Sequence, residues 1–161
     1  MVAEKPTTDE IWALLGKIPD PEIPVLSIVD LGIVRRVEWS GEDLTIAVTP
    51  TYSGCPAMDV IVADICSSIH DAGIQKLRIE RQLSPAWTTD WMSDAAKQRL
   101  KSYGIAPPAK LITPEEIAAA VTCPHCGSAD SELLSRFGST PCKALYRCRK
   151  CLEPFDAFKR H

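Results

Sequence analysis

Cys123-Pro-His-Cys126, followed after 21 residues by Cys148-Arg-Lys-Cys151, decides the fold of the C-terminal part of the chain. Each Cys-x-x-Cys pair favours a tight turn that directs two sulfurs to one point, and two such turns form a tetrahedral set of four thiolates. Zinc suits this set best, because four-sulfur tetrahedral sites select zinc or iron and zinc has no redox chemistry. The four cysteines therefore predict a metal site in a zinc ribbon.

Two disulfides in a small secreted domain are the alternative interpretation of the same cysteines. The chain has seven cysteines, an odd number, and its first 25 residues lack the basic-then-apolar pattern of an export signal. These features favour a reducing cytoplasm, in which thiols hold metals or do chemistry. Cys142, a fifth cysteine in this region, is either a spare thiol or an alternative ligand, and the spacing favours the two pairs. Because closed coordination by four sulfurs leaves no position for a substrate, we expect a structural metal.

Charge and hydropathy exclude two classes of partner. Residues 1–122 carry 11 Lys and Arg against 17 Asp and Glu, whereas residues 123–161 carry 7 against 4. Zinc held by four thiolates adds a charge of about −2, so residues 123–161 with zinc bound carry only a weak positive charge. A nucleic-acid-binding face needs a stronger basic patch than this. No apolar run approaches transmembrane length, and we expect neither a nucleic-acid nor a membrane partner.

The chain divides into two predicted domains joined by a linker. Its composition is ordinary for a globular protein, with 45% hydrophobic and 24% charged residues. Ala106-Pro-Pro-Ala109 marks the linker, and Thr113-Pro-Glu-Glu116 begins a short helix up to Val121. We therefore assign residues 1–104 to the N-terminal domain, 105–122 to a linker with a short helix, and 123–161 to the ribbon.

The N-terminal domain is predicted to be a small α+β fold with a three-stranded sheet and helices over one face. A capping box from Thr7 to Glu10 indicates the first helix. Period-two alternation indicates the strands, and apolar residues at i, i+3 and i+4 after Pro56 indicate the second helix. The predicted elements are a helix at 7–17, strands at 32–40 and 43–50, a helix from Pro56 to Gly73, a strand at 74–81 and a helix at 93–102. In the ribbon, the strand candidates are 131–137, 144–148 and 155–159.

Cys55 is the candidate functional thiol of this domain. It lies between a predicted strand and the helix that Pro56 begins, in Thr49-Pro-Thr-Tyr-Ser-Gly-Cys55-Pro56. Helix N-termini carry partial positive charge and free N–H donors, which favour a thiolate. The hydroxyls of Thr49, Thr51 and Ser53 could donate to the same pocket. The alternative is a small buried residue at a tight turn, which is common for a free cysteine.

Acidic loops flank the first predicted strand and could converge on Cys55. Asp20, Glu22 and Asp30 are candidates for hydrogen-bond partners or hard metal ligands, although turn and capping chemistry is the ordinary role of Asp at such positions. No histidine has an argued place next to Cys55, which leaves a Cys–His hydrolase poorly supported. Trp87 and Trp91 are candidates for a partner surface, with core packing expected for one of the two.

Two sets of motifs resemble known families. Asp20-Pro-Glu-Ile-Pro24, Asp30-Leu-Gly32 and the segment 49–56 resemble the metal–sulfur cluster assembly domain of iron–sulfur maturation factors. The segments 83–92 and 137–148 resemble the PaaD family, accessory components of the bacterial phenylacetyl-CoA epoxidase system. The resemblance extends from about residue 8 to Lys159 and covers both predicted domains in order.

The PaaD resemblance implies a role in aerobic phenylacetate breakdown, where a di-iron monooxygenase epoxidises the ring of phenylacetyl-CoA. The oxygenase of that system holds the di-iron site, and a separate reductase holds flavin and an iron–sulfur cluster. This chain has no Glu-x-x-His pair on predicted helices, no Gly-rich dinucleotide fingerprint and no ferredoxin-type cysteine run. The resemblance therefore implies maturation or repair of partner metal centres, without catalytic activity of its own.

The functional cysteine of the family corresponds to Cys55, and its acidic loop corresponds to Asp20 and Glu22. One cysteine cannot hold an iron or a cluster alone, so a homodimer or a client would supply the remaining ligands. We expect Cys55, with Thr51 beside it, to carry iron, a cluster or sulfur transiently while the ribbon docks the oxygenase or the reductase. The alternatives are a structural subunit of the epoxidase and a Cys55-dependent thiol enzyme that acts on CoA thioesters.

Overall fold

The computed structural model describes residues 5–108 and 121–160. The chain divides into two compact units, an N-terminal unit, Met1–Trp87, and a C-terminal unit, Thr88–His161. The N-terminal unit combines helices with a three-stranded sheet, and the C-terminal unit contains the four-stranded sheet of the ribbon. The predicted class, an α+β domain followed by a zinc-ribbon β domain, is confirmed.

The N-terminal unit follows the predicted order of elements. They are α1 (Thr8–Leu15), β1 (Val34–Ser40), β2 (Asp43–Val48), α2 (Ala57–Asp71) and β3 (Leu77–Arg81). The sheet has the order β1-β2-β3, with β1 antiparallel and β3 parallel to the central strand β2. The parallel pair requires a crossover between β2 and β3, and α2 provides it.

Local sequence signals explain the ends of these elements. At the start of α1, Glu10 N–H donates to Thr7 Oγ1 at 3.2 Å and Thr7 N–H donates to Glu10 Oε2 at 2.8 Å, so both halves of the predicted capping box form. Gly41 takes a φ of 59° in the tight turn between β1 and β2, a left-handed conformation that glycine adopts at little cost. The capping hydrogen bonds thus fix the start of α1, and the conformational freedom of Gly41 allows the turn between β1 and β2.

The core of the N-terminal unit lies between α2, α1 and the sheet. α2 buries Ala57, Met58, Ile61, Ile65 and Ile69, the face that its helical period predicts. Large side chains from the other elements are fully buried as well, among them Ile11, Leu15, Ile33, Leu44 and Ile46. Burying a side chain of this size stabilises the fold by about 1.5–3 kcal/mol. The N-terminal unit therefore has an apolar core of its own.

The C-terminal unit consists of short elements around a small core. Its elements are a 3-10 helix (Thr89–Trp91), α3 (Asp94–Ser102), β4 (Ile105–Ala106), β5 (Ser131–Ser135), β6 (Lys143–Cys148) and β7 (Pro154–Phe158). The sheet has the order β4-β7-β6-β5, so β5 is an edge strand. The core cluster comprises Ala106, Cys123, Cys148, Phe155 and Ala157. Two of its five members are cysteines of the predicted metal site.

The segment before the ribbon differs from its predicted place. The sequence pattern places residues up to 104 in the N-terminal domain, but the structure groups residues from Thr88 onward with the C-terminal unit. The reason is non-local pairing, since β4 adds to the ribbon sheet parallel to β7, with Ile105 opposite Asp156. Much of the predicted linker, including its short helix, lies outside the described residues. None of the helices within 5–108 and 121–160 has the length and apolarity needed to span a membrane.

Candidate functional site

Cys55 lies where the loop after β2 meets the first turn of α2. Its N–H donates to Tyr52 O at 3.2 Å and its carbonyl accepts from Met58 N–H at 3.2 Å, so the backbone turns tightly into the helix. Gly54, with a φ of 143°, provides the conformation that this turn requires. The N-cap residue Pro56 has no side-chain cap bond. The Ala57 N–H donates to the Cys55 sulfur instead, which makes the sulfur a capping group of the helix.

The ionisation of Cys55 differs from the prediction. The helix terminus alone favours the thiolate, but the pKa of Cys55 is raised, because partial burial desolvates the sulfur and the carboxylates of Glu22 and Asp20 repel negative charge. Hydrogen bonds from Ala57 N–H and the Thr51 hydroxyl oppose these effects and are outweighed. The group is therefore a half-buried thiol at neutral pH, with two carboxylates close enough to act on it.

Asp20 and Glu22 form the acidic loop that the sequence predicts. Asp20 is buried, and its Oδ1 accepts from Glu22 N–H and Ile23 N–H, both at 2.8 Å. It therefore also performs the turn chemistry that is the ordinary role of such a residue. Glu22 is half-buried, and its charge acts on Cys55 more strongly than that of Asp20. The structure thus brings Asp20, Glu22, Thr51 and Cys55 together.

Other polar residues that the sequence suggests for this site have different roles. Asp30 accepts from Ser27 N–H and Oγ, both at 2.9 Å, and is not among the groups that shift the pKa of Cys55. Ser53 is exposed. Thr49 is buried at the end of β2, and its hydroxyl finds no hydrogen-bond partner among the described residues. A buried orphan hydroxyl costs about 1–3 kcal/mol, a feature that the sequence pattern does not reveal.

Among the residues that the structure describes, no histidine shifts the pKa of Cys55. A nucleophilic cysteine needs a neighbouring base or a lowered pKa, and Cys55 has a raised pKa beside two acids. This arrangement does not favour a thiol enzyme. It favours binding of a cation, since a positive ion would be attracted by the carboxylates and would stabilise the thiolate.

The four predicted metal ligands converge in the C-terminal unit. One ligand atom from each of Cys123, Cys126, Cys148 and Cys151 lies within 4.8 Å of all the others. The Sγ atoms of Cys123 and Cys151 are 3.8 Å apart, and those of Cys126 and Cys148 are 3.6 Å apart. A tetrahedral zinc with Zn–S bonds of about 2.3 Å requires sulfurs about 3.8 Å apart. The geometry therefore fits zinc, and all seven cysteines are free thiols rather than disulfides.

Backbone amides shape the second Cys-x-x-Cys turn. The Cys151 N–H donates to Cys148 Sγ at 3.5 Å, and this bond, together with the Lys150 N–H, lowers the pKa of Cys148 to about 6. Glu153 N–H donates to Cys151, yet the pKa of Cys151 is raised to about 12, because of desolvation and the neighbouring cysteine side chains. Four thiolates held this close together repel one another, and a divalent metal would supply the compensating positive charge.

Burial shows the roles of the other candidate residues, Cys142 and the two tryptophans. Cys142 is buried 3.0 Å from the Thr140 hydroxyl and is not part of the cluster, as the spacing indicates. The sequence makes Trp87 and Trp91 candidates for a partner surface, with core packing expected for one of them. Trp87 is the packed one, because it is 4% exposed and its indole N–H donates to Leu31 O at 2.8 Å, so it is not part of a partner surface. Trp91 is half-buried, and its place in a partner surface stays a prediction.

Two family models match the chain, one for each part. The model of the iron–sulfur cluster assembly protein matches residues 8–73, which include the acidic loop and Cys55. The model of the PaaD zinc beta ribbon domain matches residues 107–159, which include all four clustered cysteines. The chain thus joins an iron–sulfur assembly domain to a zinc ribbon.

Individual proteins match either nearly the whole chain or a little over half of it. A protein of Escherichia coli (strain K12), provisionally named as a component of 1,2-phenylacetyl-CoA epoxidase, is 53% identical over 96% of this chain and 93% of its own length. An iron–sulfur protein maturation auxiliary factor of Porphyromonas gingivalis is 32% identical over 58% of this chain and 90% of its own length. A crystal structure of a domain of unknown function from Bacillus anthracis superposes with a TM-score of 0.54 at 28% identity, covering 58% of this chain and 90% of that one.

Proposed function

This chain belongs to the PaaD family of phenylacetyl-CoA epoxidase components, and from that premise we propose that it assists the assembly or repair of the metal centres of its epoxidase partners. The clients are the di-iron oxygenase, the iron–sulfur reductase, or both. The relatives named as iron–sulfur maturation auxiliary factors support the assembly role, because they match more than half of this chain. In this proposal the protein is an accessory factor without catalytic activity of its own.

The observation that carries the proposal is the single, incompletely ligated sulfur of Cys55. Its donors are Ala57 N–H and the Thr51 hydroxyl, and its charged neighbours are Glu22 and Asp20. Within the described residues, the only group of three or more ligands close enough for a metal is the cluster of four cysteines. A lone sulfur beside carboxylates can accept iron or a cluster from a donor and pass it on, whereas a complete ligand set would retain it.

The remaining ligands at Cys55 come from the client or from a second copy of the chain. Glu22 and Asp20 attract a ferrous ion, and the ion stabilises the thiolate that the same carboxylates disfavour when no cation is present. The loop lies at the carboxyl end of β2, next to the parallel strand β3, an edge at which open sheets place ligands. The four-cysteine site, in contrast, holds structural zinc and is not the cargo site.

Metal content of the clients tests this proposal directly. We expect oxygenase and reductase produced in cells with the Cys55→Ser variant to contain less iron and to give less epoxidase activity than with the wild-type chain. Cys66→Ser is the matched control, because Cys66 is also a half-buried free thiol of the N-terminal unit but lies within α2. Equal iron content with the wild-type chain and with Cys55→Ser would overturn the proposal.

A structural subunit of the epoxidase is the second candidate. The observation that favours it is the exposure of large apolar side chains in the C-terminal unit, notably Phe137, which is 68% exposed, and Leu133 and Leu134, each 49% exposed. Surfaces of this kind bind other proteins. A stable complex whose iron content and activity do not depend on Cys55 would support this candidate over the assembly role.

A further inference from the structure

Phe137 is an aromatic side chain presented to solvent on the loop between β5 and β6. Its side chain is 68% exposed. Two leucines on the preceding edge strand, Leu133 and Leu134, are each 49% exposed. The pairing of β5 with β6 is irregular between Leu133 and Ser135, which is why adjacent leucines can both lie at the surface. The edge of the ribbon sheet therefore carries a local group of apolar side chains around an aromatic residue.

The loop that carries Phe137 is tied down by hydrogen bonds at nearly every residue. Phe137 N–H donates to Ser135 Oγ at 3.1 Å, and Gly138 N–H donates to Lys143 O at 2.8 Å. Ser139 donates from its N–H and its hydroxyl to the two carboxylate oxygens of Asp156, at 3.3 and 2.7 Å. A loop this strongly bonded holds Phe137 in place, so that binding through it costs little conformational entropy.

Gly138 is required for the contact with Asp156. A Cβ atom at position 138 would lie 2.2 Å from Asp156 Oδ1, so only glycine allows the loop to approach this carboxylate. Asp156 in turn lies 4.0 Å from Nζ of Lys143, a residue that is almost fully buried. The position of the exposed ring is thus determined by buried and half-buried polar groups beneath it.

Two positively charged side chains, Lys159 and Arg136, lie next to Phe137. Lys159 Nζ lies 4.5 Å from the centre of the Phe137 ring, and Arg136, the adjacent residue, is exposed and forms no ion pair within the described part of the chain. The nearby carboxylate of Glu132 is held by Arg147 and Arg149. A complementary surface therefore has an apolar recess with acidic groups at its rim.

We propose that Phe137, with Leu133 and Leu134, is the anchor by which the ribbon docks an epoxidase component that presents an apolar recess rimmed by carboxylates. The proposal rests on the proposed function for the choice of partner. That choice is supported by the comparisons, because the assembly-type model covers residues 8–73 and the ribbon is matched by a model named for PaaD. Aromatic residues, Phe among them, are enriched at the buried centre of protein interfaces.

Binding of the purified oxygenase and reductase to the immobilised, zinc-loaded full chain tests the anchor. We expect Phe137→Ala to weaken binding of one component by roughly 10-fold or more, as is typical for an aromatic hot spot. Leu152→Ala is the matched control, because Leu152 is also a 68% exposed apolar residue of the same unit but follows the last metal ligand. We expect its binding to equal that of the wild-type chain. Arg136→Glu should weaken binding and reduce its dependence on salt.

The outcomes separate this proposal from the function on which it rests. Wild-type binding by Phe137→Ala, or an equal loss in Phe137→Ala and Leu152→Ala, would overturn the anchor. Binding of the wild-type chain only to itself, abolished by Phe137→Ala, would overturn it too, because the occupant would then be a second copy. Cys55→Ser should bind normally, so failure of Cys55→Ser to reduce client iron would remove the assembly role while leaving the anchor intact.

Discussion

The two cysteine sites of this chain differ in completeness, and the difference assigns their roles. In the C-terminal unit, four sulfurs lie within 4.8 Å of one another and form part of a small core. In the N-terminal unit, a single sulfur lies at a helix start, beside two carboxylates and outside the apolar core. A complete set of ligands holds a metal permanently and stabilises the fold, whereas an incomplete set can exchange it. The same residue type therefore has a structural role in one unit and a proposed carrier role in the other.

The largest expected effect is loss of the ribbon when a metal ligand is removed. Structural zinc contributes about 10–16 kcal/mol in zinc-finger peptides, far more than the small apolar core of this unit can supply. We expect Cys148→Ser to abolish zinc retention and to make residues 121–160 sensitive to protease, while the N-terminal unit keeps its thermal transition. Zinc analysis and limited proteolysis provide the measurement. Cys142→Ser, which changes a buried cysteine outside the cluster, should retain zinc, and a folded ribbon in zinc-free Cys148→Ser would contradict the structural role of the metal.

A core substitution in the other unit should give the reverse pattern. Ile65 is fully buried in α2, so Ile65→Ala should lower the free energy of unfolding of the N-terminal unit by about 2–5 kcal/mol, through lost burial and a cavity. Zinc content should not change. Chemical denaturation followed by circular dichroism measures the first quantity and zinc analysis the second. Loss of zinc in Ile65→Ala would mean that the two units do not depend on separate stabilising features.

The electrostatics of Cys55 can be tested by its reactivity. Because the pKa of the thiol is raised, little thiolate is present at pH 7, and alkylation by iodoacetamide should accelerate as the pH rises through that pKa. Glu22→Gln removes a repelling charge, which should lower the pKa and speed alkylation at fixed pH severalfold. Thr51→Val removes a donor to the sulfur and should slow it. Mass spectrometry of the peptide that contains Cys55 gives the rates, and unchanged rates in Glu22→Gln would show that the carboxylate does not act on the sulfur.

The smallest expected effect concerns the orphan hydroxyl of Thr49. Thr49→Val keeps the shape of the side chain and removes a buried polar group without a described partner, so it should raise the stability of the N-terminal unit by about 1 kcal/mol. The midpoint of urea unfolding measures this change. A clear destabilisation would show that the hydroxyl is satisfied in solution, for example by a bound water.

Sequence reasoning succeeds where the signal is local. The capping box of Thr7 and Glu10, the buried face of α2 and the spacing of the four cysteines each depend on residues a few positions apart, or on a known ligand pattern. It also proposes the residues that surround Cys55, through the resemblance of the acidic loop and the Cys55 segment to an assembly domain.

What sequence reasoning misses depends on distant contacts. Trp87 is buried because its indole reaches Leu31, which is 56 positions away. Residues from Thr88 onward join the C-terminal unit, where a two-residue strand pairs with β7 far along the chain. The pKa of Cys55 is raised by desolvation and by carboxylates more than 30 positions earlier in the chain, and neither can be weighed from the helix start alone.

Transfer of iron from the purified chain measures the contrast between the two cysteine sites most directly. The zinc-loaded protein is charged with ⁵⁷Fe under anaerobic conditions and mixed with metal-free oxygenase or reductase, and both metals are then followed in donor and client. We expect iron to move to the client in a manner that requires Cys55, while zinc stays with the four cysteines of the ribbon. Iron transfer by Cys55→Ser at the wild-type rate, or delivery of the ribbon metal to the client, would contradict the division of roles between the two sites.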